Sequence, residues 1–454
     1  MNVTNSLYTL SAAQQPLAPG GGRSDPEPPL RRLPLAEVAA QDQDASPHGV
    51  AKAHHAVSIL KSPRPPMKRS AVTVWVCLLT AGVGVPPPGL WAQAIARDRY
   101  AVPATLRDGI ATGTLSMAQL DAATIGAGTT AILNGVYPGI RSLLIFRHNR
   151  LVYEQYFTTN RNGRATAVQG REVLQDLRSV TKTVVGTAVL MAHAQGKIRS
   201  LDQPMFDFLP EYAAYAVDGK TQITIRHLLS MTAGLEWNED VSYLDPANSE
   251  YRMNRAPNAL AFVLSRTLVA KPGSTFAYCG GCSHVLAEIV RRTTGMPVDR
   301  FVATHLFTAL GITKFAWAKG ADGLPYGFSG LRLRSRDLGK VGLLLQNKGK
   351  WSGTQLIPAE LVADALAEHA VVSSNDAAGE RVGYGYQLWR YSFVENGLRE
   401  QLVQLSGNGG QIVYLSDAAD LVVVITAGNF DRTVAKSSFD FYLDHVYPAV
   451  RDRR

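Results

Sequence analysis

The chain has 454 residues, and 46% of them are hydrophobic, which is enough for one large core or two domains. Its 46 Lys and Arg residues against 37 Asp and Glu residues give a formal net charge of +9 at pH 7. The basic residues are spread along the chain without a dense cluster, so we expect no nucleic-acid-binding surface and interpret the charge as solubilising.

Residues 1–94 have the composition of a leader rather than of a folded domain. Residues 1–66 are rich in Pro, Gly, Ala, Ser and Gln, cannot bury a core, and are predicted to be disordered or not truly translated. Residues 67–94 combine Lys68-Arg69, a short apolar stretch and a terminal A-x-A sequence, the order of parts in a signal peptide. A membrane anchor is the alternative, although the apolar stretch is short for a span. We expect an exported protein, periplasmic or secreted, without a stable membrane anchor after cleavage.

Periodicity and turn residues predict a chain that begins and ends with strands and has helices between them. The first part is expected to hold a helix over 116–134, a β-hairpin over 140–157 that turns at His148-Asn149, a helix over 176–196, a loop over 201–212 and a strand–helix unit over 223–237. The second part is expected to hold helices over 257–268, 283–295, 298–310 and 335–347, strands over 383–391, 410–416 and 421–429, and a final helix over 434–450.

This order predicts an α/β (α+β) fold, in which an antiparallel sheet is flanked by helices and an inserted all-helical domain lies between its halves. The sheet is expected to form from about 136–160 and 383–430. The helical part is expected over about 200–340, and all of these elements belong to one domain over 95–450.

Beyond residue 94 the chain has two cysteines, Cys279 and Cys282, in the sequence YCGGCSH. In an exported protein a C-x-x-C pair at a helix start can close a disulfide; a redox motif or a zinc half-site with His284 is the alternative. No second pair of ligands at metal spacing occurs, so we expect structural cysteines and no bound metal.

The run LRSVTKTVVGTAV places Ser179 and Lys182 at the head of an apolar, helix-length stretch. Side chains three positions apart share a helix face, so the serine Oγ and the lysine Nζ can meet. The helix dipole favours an oxyanion at Ser179, and a desolvated, neutral Lys182 amine can accept its proton. A helix cap followed by a lysine that extends to solvent explains the same tetrapeptide, and S-x-x-K alone does not decide between them.

Two further stretches carry candidate functional groups. Tyr278 lies at a Gly-rich turn before a predicted helix, where its hydroxyl can point into a cleft; an ordinary core tyrosine is the alternative. The sequence Gly407-Asn408-Gly409-Gly410 precedes a predicted strand, where glycines allow close backbone approach and leave amide N–H groups to donate; a plain turn is the alternative.

Together and in this order, the three stretches resemble the motifs of the serine β-lactamase and penicillin-binding-protein superfamily. That family has S-x-x-K at the head of a central helix, then Y-x-N or a variant, then K-T-G, H-x-G or G-x-G on an edge strand. Here the motifs correspond to Ser179–Lys182, Tyr278–Gly280 and Gly407–Gly409. The resemblance covers about Val136–Val450 and is closest to the branch of class C β-lactamases, family VIII esterases and 6-aminohexanoate-dimer hydrolases.

The resemblance implies a β-lactamase-like fold and acyl transfer without a metal or an organic cofactor. Ser179 is then the nucleophile, and Lys182 and Tyr278 share the roles of general base and acid. The amide of Ser179 and an amide of the Gly407–Gly409 stretch, with Asn408 the expected donor, form the oxyanion hole. Water then releases the acyl group.

Two departures from the family pattern affect the expected substrate. Gly407 stands where β-lactamases and D-Ala peptidases have a Lys or His that holds the substrate carboxylate, although Arg332, Arg334 or Arg336 could replace it from elsewhere. Gly280 stands where the family has an Asn amide that contacts the acylamino chain of the substrate. Both departures favour a linear ester or amide over a β-lactam or peptidoglycan.

Three further residues are candidates for the lining of the cleft, namely Trp237, Trp389 and Cys279. For the two tryptophans we favour packing roles, because large aromatic side chains commonly stabilise cores. His227 is interpreted as a group that caps and orients local backbone, because the base roles are already filled and no G-x-S-x-G sequence surrounds Ser179.

We therefore expect an exported serine hydrolase that cleaves a small-molecule ester or linear amide through an acyl-enzyme on Ser179. Two alternatives stay open at this stage. One is a β-lactamase or D-Ala carboxypeptidase, and the other is a penicillin-binding or cell-wall-sensing domain that is acylated without turnover. The sequence does not determine the natural substrate, the leaving group or the oligomeric state.

N-terminal sequencing of the protein from its natural source should find Ile95 at the terminus, because the A-x-A sequence marks a cleavage site after Ala94. The translated chain is expected to begin at Met67. A natural protein that keeps Met1, or in which residue 95 never becomes a terminus, would contradict this prediction.

Overall fold

The computed structural model describes residues 100–161, 164–167, 170–375, 378–395 and 398–452. The predictions for residues 1–66 and 67–94 lie outside these ranges. Among the described residues, no helix has both the length and the apolar character that a membrane crossing requires.

Most of the longer strands lie towards the two ends of the described chain, and most helices lie between them. The strands are β1 (Ala111–Thr112), β2 (Ile140–Arg147), β3 (Arg150–Tyr156), β4 (Thr159–Arg161), β5 (Arg164–Ala167), β6 (Gln175–Asp176), β7 (Phe315–Trp317), β8 (Leu331–Leu333), β9 (Lys350–Trp351), β10 (Thr354–Gln355), β11 (Ala370–Asn375), β12 (Glu380–Tyr384), β13 (Trp389–Glu395), β14 (Leu398–Gly407), β15 (Gln411–Ser416) and β16 (Leu421–Ala427). The α-helices are α1 (Ala122–Leu133), α2 (Val180–Ala194), α3 (Ile225–Leu229), α4 (Ser249–Met253), α5 (Ala259–Leu264), α6 (Gly280–Thr294), α7 (Val298–Val302), α8 (Ser335–Gln346), α9 (Ala359–Leu366) and α10 (Ser438–Phe441).

A large sheet forms the centre of the protein, in the strand order β1-β3-β2-β16-β15-β14-β13-β12-β11 within the described residues. Its neighbouring strands are antiparallel except β1 and β3, which run parallel. Every residue of β15 and β16 is buried, because helices cover both faces of the sheet. The predicted antiparallel sheet flanked by helices is therefore confirmed.

The two faces are visible at neighbouring residues of β15. Val413 lies against α8, where a Cβ added to Gly342 would be only 2.8 Å from Val413 Cγ1. Tyr414 points to the opposite face and packs on Phe439 and Tyr442, with ring centroids 6.1 and 4.7 Å away. The alternation of strand side chains thus joins α8 and the C-terminal helix through one sheet.

The predicted hairpin over 140–157 is confirmed as β2 and β3. Its turn residues His148 and Asn149 have φ angles of 52° and 58°. Two successive left-handed residues make the type I′ turn that matches the twist of antiparallel strands, and Asn tolerates that conformation well.

Two helices begin later than predicted because a polar side chain caps them inside the predicted range. The helix predicted over 116–134 is α1, which starts only after Asp121, whose carboxylate accepts hydrogen bonds from the Thr124 N–H at 3.2 Å and hydroxyl at 2.6 Å. The helix predicted over 434–450 starts with α10, capped by Ser437, and continues in π and 3₁₀ turns.

The remaining helix predictions are correct in kind, and their bounds shift. The helix predicted over 176–196 is α2, because residues 175–176 pair with β8 instead. The helices predicted over 257–268, 283–295, 298–310 and 335–347 are α5, α6, α7 with a following π turn at Ala303–Phe307, and α8. The predicted loop over 201–212 contains 3₁₀ turns at Met205–Phe208 and Pro210–Tyr215.

The prediction of one strand over 383–391 is wrong, because the chain turns between β12 and β13. Gln387 has a left-handed φ of 60° and joins three helices to this turn. Its carbonyl accepts from Thr183 Oγ1 at 2.7 Å, its side-chain oxygen accepts from Ser283 Oγ at 2.5 Å, and its side-chain nitrogen donates to the Leu228 carbonyl at 3.0 Å. These bonds stabilise a bend where a continuous strand was expected.

The sheet is also larger than predicted, and the insert is not entirely helical. Strands β11 and β14 extend the second half of the sheet to residues 370–427. Between the halves of the sheet, β8 pairs with β6 on one side and β7 on the other, in a three-stranded sheet of the described residues. The predicted helical part over about 200–340 therefore contains both helices and strands. Strand β6 of the small sheet lies just before α2 in the chain.

Helix α8 approaches the central sheet closely because glycines face it. A Cβ added to Gly339 would lie 2.4 Å from Phe146 Cζ, which is shorter than any real contact. We expect Gly339→Ala to lower the free energy of unfolding by about 1–3 kcal/mol through overpacking. The matched control Gly126→Ala lies in α1 with open space around the added methyl, and should raise stability by about 0.5–1 kcal/mol. Urea denaturation measures both, and equal effects would contradict the prediction.

Candidate active site

Ser179 lies at the N-terminus of the buried helix α2, with its hydroxyl next to Lys182. The Ser179 side chain makes no capping hydrogen bond, although the residue occupies the capping position. Lys182 is only 1% exposed, and its Nζ donates to Ser179 Oγ at 3.1 Å and to the Phe328 carbonyl at 3.2 Å. The alternative of a cap followed by a lysine that reaches solvent is therefore wrong.

Tyr278 lies beside this pair, at the turn that leads into α6. Lys182 Nζ is 4.8 Å from the centre of its ring, and interactions with Ser179 and Lys182 both act to lower the pKa of its hydroxyl. Trp389 stacks on the other side of the ring, with centroids 5.6 Å apart and planes 24° apart. Burial raises the pKa of Tyr278, and the charge of Lys182 only partly offsets this.

A strained turn places Ser179 at the head of the helix. Arg178 has a φ of 48°, which a bulky side chain adopts only at a cost. Its N–H donates to Asp176 Oδ1 at 3.2 Å, and its guanidinium lies over the Phe430 ring at 4.7 Å. These contacts hold the chain as it turns from β6 into α2, and they direct Ser179 away from the core of the sheet.

The third motif lies against the same turn, at the end of β14. A Cβ added to Gly407 would be 2.2 Å from the Leu177 carbonyl oxygen and 3.2 Å from Ser179 N. No side chain fits there, so the position cannot carry the family's Lys or His. Asn408 follows in the turn, where its Nδ2 donates to Asp431 Oδ1 at 2.9 Å.

The turn after Asn408 is built by glycines. Gly409 and Gly410 have φ angles of 88° and 89°, a conformation that side chains rarely adopt. The backbone N–H of Ser179 has no acceptor among the described residues. The geometry therefore brings an unused amide of α2 and the glycine-rich end of β14 to one place, as the resemblance implies.

Two buried acids, which the sequence analysis did not identify, lie behind Lys182. Glu239 is 4% exposed and Glu250 is 8% exposed. Burial lowers the pKa of Lys182, but the charges of Tyr278, Glu239 and Glu250 outweigh this and raise it above its ordinary value. These acids, which only the fold brings close, favour the charged form of Lys182 over the neutral amine expected from its apolar neighbours. Burial and the neighbouring Glu239 raise the pKa of Glu250 to about 8.

A pocket of about 240 Å³ opens beside Ser179. Its wall includes Arg178, Ser179, Tyr243, Glu250, Asn408 and Asp431. A larger cavity of about 330 Å³ lies nearby, but Ser179 is not in its wall. We take the smaller pocket as the candidate active site because Ser179 lies in its wall.

The candidate cleft residues Trp237, Trp389 and Cys279 are absent from the described walls of this pocket. Trp237 packs edge-on against Phe262, and Trp389 packs against Tyr278, contacts that agree with the packing interpretation. Cys279 is 2% exposed, and its sulfur accepts from Cys282 N at 3.0 Å.

Both of these cysteines are free thiols in the structure. Among the described residues, no group of three or more His, Cys, Asp or Glu side chains has the arrangement of a metal site. His284, the candidate third ligand, instead packs edge-on against Phe328, with centroids 6.0 Å apart.

The arginines proposed as substitutes for the missing cation are bound elsewhere. Arg336 is buried and pairs with Glu154 at 2.7 Å and Asp108 at 2.9 Å. Arg334 pairs with Asp337 at 2.5 Å and with Glu172 at 3.0 Å. Arg332 is exposed on β8, and none of the three is part of the pocket wall that the structure describes. The arginines that do line the pocket are Arg178 and Arg255.

His227 has the structural role that was predicted. Its Nδ1 accepts from the Thr224 N–H at 3.2 Å, and its own N–H donates to Thr224 Oγ1 at 3.3 Å. This reciprocal pair is a capping box at the start of α3, which satisfies two backbone donors. The interpretation of His227 as a capping group is confirmed.

Comparison with known proteins agrees with this geometry. The family model described as Beta-lactamase matches residues 133–437, and the chain belongs to this family. It has the β-lactamase fold and lies in a family of serine hydrolases. Among solved structures, it resembles EstCE1, described as a hydrolase with promiscuous acyltransferase activity, with a TM-score of 0.56, 19% identity and coverage of 74% of this chain and 98% of that one.

Two curated relatives are an amide hydrolase and an esterase. The 6-aminohexanoate-dimer hydrolase of Paenarthrobacter ureafaciens is 28% identical over 265 residues, which is 55% of this chain and 64% of that protein. Esterase EstB of Burkholderia gladioli is 31% identical over 211 residues, which is 41% of this chain and 51% of that protein. The matched region thus covers between half and two thirds of these relatives.

Substitution of Gly407 tests the contact between the third motif and Ser179. In Gly407→Ala the methyl group must displace the Leu177 carbonyl and the turn at Ser179. Because misplacement of a reacting group by about 1 Å can cost about a hundredfold in rate, we expect labelling of Ser179 by a fluorophosphonate to slow by about that factor. Circular dichroism checks the fold, and Gly126→Ala is the control. Unchanged labelling in Gly407→Ala would contradict the geometry.

Proposed function

We propose that the protein is an exported serine hydrolase, which cleaves ester or linear amide bonds of small molecules through an acyl-enzyme on Ser179. The observation that carries this proposal is the buried cluster of Ser179, Lys182 and Tyr278. Lys182 Nζ lies 3.1 Å from Ser179 Oγ and 4.8 Å from the centre of the Tyr278 ring. A nucleophile with a base in hydrogen-bond reach and a third group that orients the base is the arrangement that acyl transfer needs.

In the proposed reaction, Ser179 Oγ attacks the substrate carbonyl and its proton passes to the Lys182–Tyr278 pair. The two groups titrate as a unit, so the reactive form carries one proton less than the fully protonated pair. The same proton then goes to the leaving group, and water, activated by the pair, releases the acyl group from Ser179.

The proposed oxyanion hole consists of the Ser179 N–H and an amide of the Gly407–Gly409 stretch, with Asn408 as the expected donor. The N-terminus of α2 adds its positive dipole at the same point. Removing one such donor typically costs about 3 kcal/mol of transition-state stabilisation. The left-handed Arg178 supports this arrangement because it fixes the direction of the Ser179 N–H.

The pocket supports a linear ester or amide as substrate. Gly407 cannot carry a cation, and two acids occupy the region where the family's Asn amide would lie beside Gly280. The names of the two curated relatives, an amide hydrolase and an esterase, point to the same substrate class. No metal or organic cofactor is needed for this chemistry.

A second candidate is a D-Ala carboxypeptidase or β-lactamase activity. Arg178 and Arg255 both line the pocket, and a guanidinium there could hold a substrate carboxylate. This candidate requires turnover of carboxylate-bearing substrates such as nitrocefin in preference to neutral esters.

Hydrolysis of p-nitrophenyl butyrate tests the proposal, with the wild type and Ser179→Ala compared. We expect turnover that is lost in the variant by about 10³-fold or more, because the covalent route is removed. Equal rates in both proteins would exclude Ser179 as the nucleophile. Turnover of nitrocefin alone would select the second candidate, and a mass adduct that persists for hours without turnover would indicate an acylated sensor domain.

A further inference from the structure

We propose that Glu239 and Glu250 form a positioning pair for the reaction, which replaces the missing side chain of the second motif and sets the charge state of Lys182 and Tyr278. This inference rests on the proposed function and extends it to two residues outside the three motifs.

Glu239 is a fixed carboxylate directly under the second motif. Its Oε1 accepts from the backbone N–H of Gly280 at 2.6 Å and from Trp237 Nε1 at 2.6 Å. Its Oε2 accepts from the Tyr243 hydroxyl at 2.9 Å. Three donors stabilise a buried charge at one position, so Glu239 is held with little freedom to move.

Glu250 approaches the same point from α4. A Cβ added to Gly280 would lie 2.8 Å from Glu239 Oε1 and 2.8 Å from Glu250 Oε2. The two carboxyl groups therefore occupy the space into which an Asn side chain at position 280 would project. The absence of an Asn side chain at position 280 therefore leaves the space that the two carboxyl groups fill.

The Glu250 carboxyl differs from Glu239 because no hydrogen bond or ion pair is found for it in the described part of the chain. The residue is nevertheless 92% buried, and it lines the pocket that contains Ser179. A carboxyl in this state favours its neutral form, and the adjacent Glu239 strengthens that preference. Glu250 is therefore mostly neutral at neutral pH and becomes negatively charged only above about pH 8.

Lys182 needs this pair because it is enclosed without a direct counter-ion. No carboxylate of the described residues lies within 4.0 Å of its Nζ, so the charge of the acids acts at longer range. The groups that face Glu250 are Glu239 and Tyr243 on the loop before α4, Lys182 and Arg178 at the head of α2, and Tyr278 before α6.

The sign of the effect follows from these charges. A negative charge on the pair opposes loss of a proton from Lys182 and Tyr278, so it raises the pH at which they reach the reactive form. Lys182 and Tyr278 lose a proton only in alkaline solution, where Glu250 is ionised, so removing the Glu250 charge should lower that pH. A residue with a purely structural role would change the rate at every pH without moving the midpoint.

The test is the pH dependence of Ser179 labelling by a fluorophosphonate, which does not depend on the natural substrate. In Glu250→Gln we expect the midpoint of the rising limb to move about one unit or more to lower pH, as removal of a charge at this range implies. Glu250→Asp, which keeps the charge, should stay nearer the wild type. The control Glu236→Gln removes an exposed carboxylate in the same segment and should leave the midpoint in place.

A second variant covers the case in which Glu250→Gln does not fold. Tyr243→Phe keeps its volume but removes a donor that partly offsets the Glu239 charge, so the midpoint should move to higher pH by a smaller amount. An unmoved midpoint in folded Glu250→Gln overturns this inference. If that variant is unstable, an unmoved midpoint in folded Tyr243→Phe does the same. In either case, labelling of Ser179 would still support the proposed hydrolase function. Equal movement in Glu236→Gln also overturns it. Absence of labelling in the wild type overturns the proposed function and this inference with it.

Discussion

The burial of the Lys182 ammonium is the constraint on which the rest of the site depends. A charged amine inside protein is costly unless acceptors and opposite charges surround it. Ser179 Oγ and the Phe328 carbonyl accept its hydrogen bonds, and the neighbouring Tyr278, Glu239 and Glu250 favour its charged form. These groups lie on segments that are far apart in sequence, so the site forms only when the fold brings them together around Lys182.

The central sheet and α2 provide that convergence. The bend at Gln387 joins the sheet to α2, α3 and α6, and the end of β14 presses Gly407 against Leu177 and Ser179. The left-handed Arg178 stores backbone strain in the turn between them. Rigid elements thus fix Ser179 from both sides, which is what a site needs when its reactive groups must stay within about 0.5 Å of their working positions.

The parts of the site that lie in short local motifs could be predicted from the sequence, whereas those that depend on distant charges could not. Ser179, Lys182 and Tyr278 belong to short motifs whose order is informative, and the hairpin followed from the turn at His148-Asn149. Glu239 and Glu250 lie in a polar stretch that resembles a solvated loop, so nothing in their spacing indicates that they are buried. The charged state of Lys182 was missed for the same reason, since only tertiary structure brings the acids near it.

The errors in the fold have a similar origin. Strand β14 carries polar residues on both sides, so its alternation is weak. The break between β12 and β13 depends on bonds from Gln387 to three helices. The arginines expected to replace the missing cation are held by Glu154, Asp108, Glu172 and Asp337, or lie exposed on β8. Ion pairs of this kind join residues that are far apart in sequence, so local patterns do not reveal them.

The central claim is that Ser179 is the nucleophile in a preformed oxyanion hole built from α2 and the end of β14. A crystal structure of the protein after reaction with a fluorophosphonate tests it most directly. The account predicts phosphorus bonded to Ser179 Oγ, with the phosphoryl oxygen within hydrogen-bond distance of Ser179 N and of an amide in the Gly407–Gly409 stretch. A label on another residue, or a phosphoryl oxygen directed away from both amides, would contradict it.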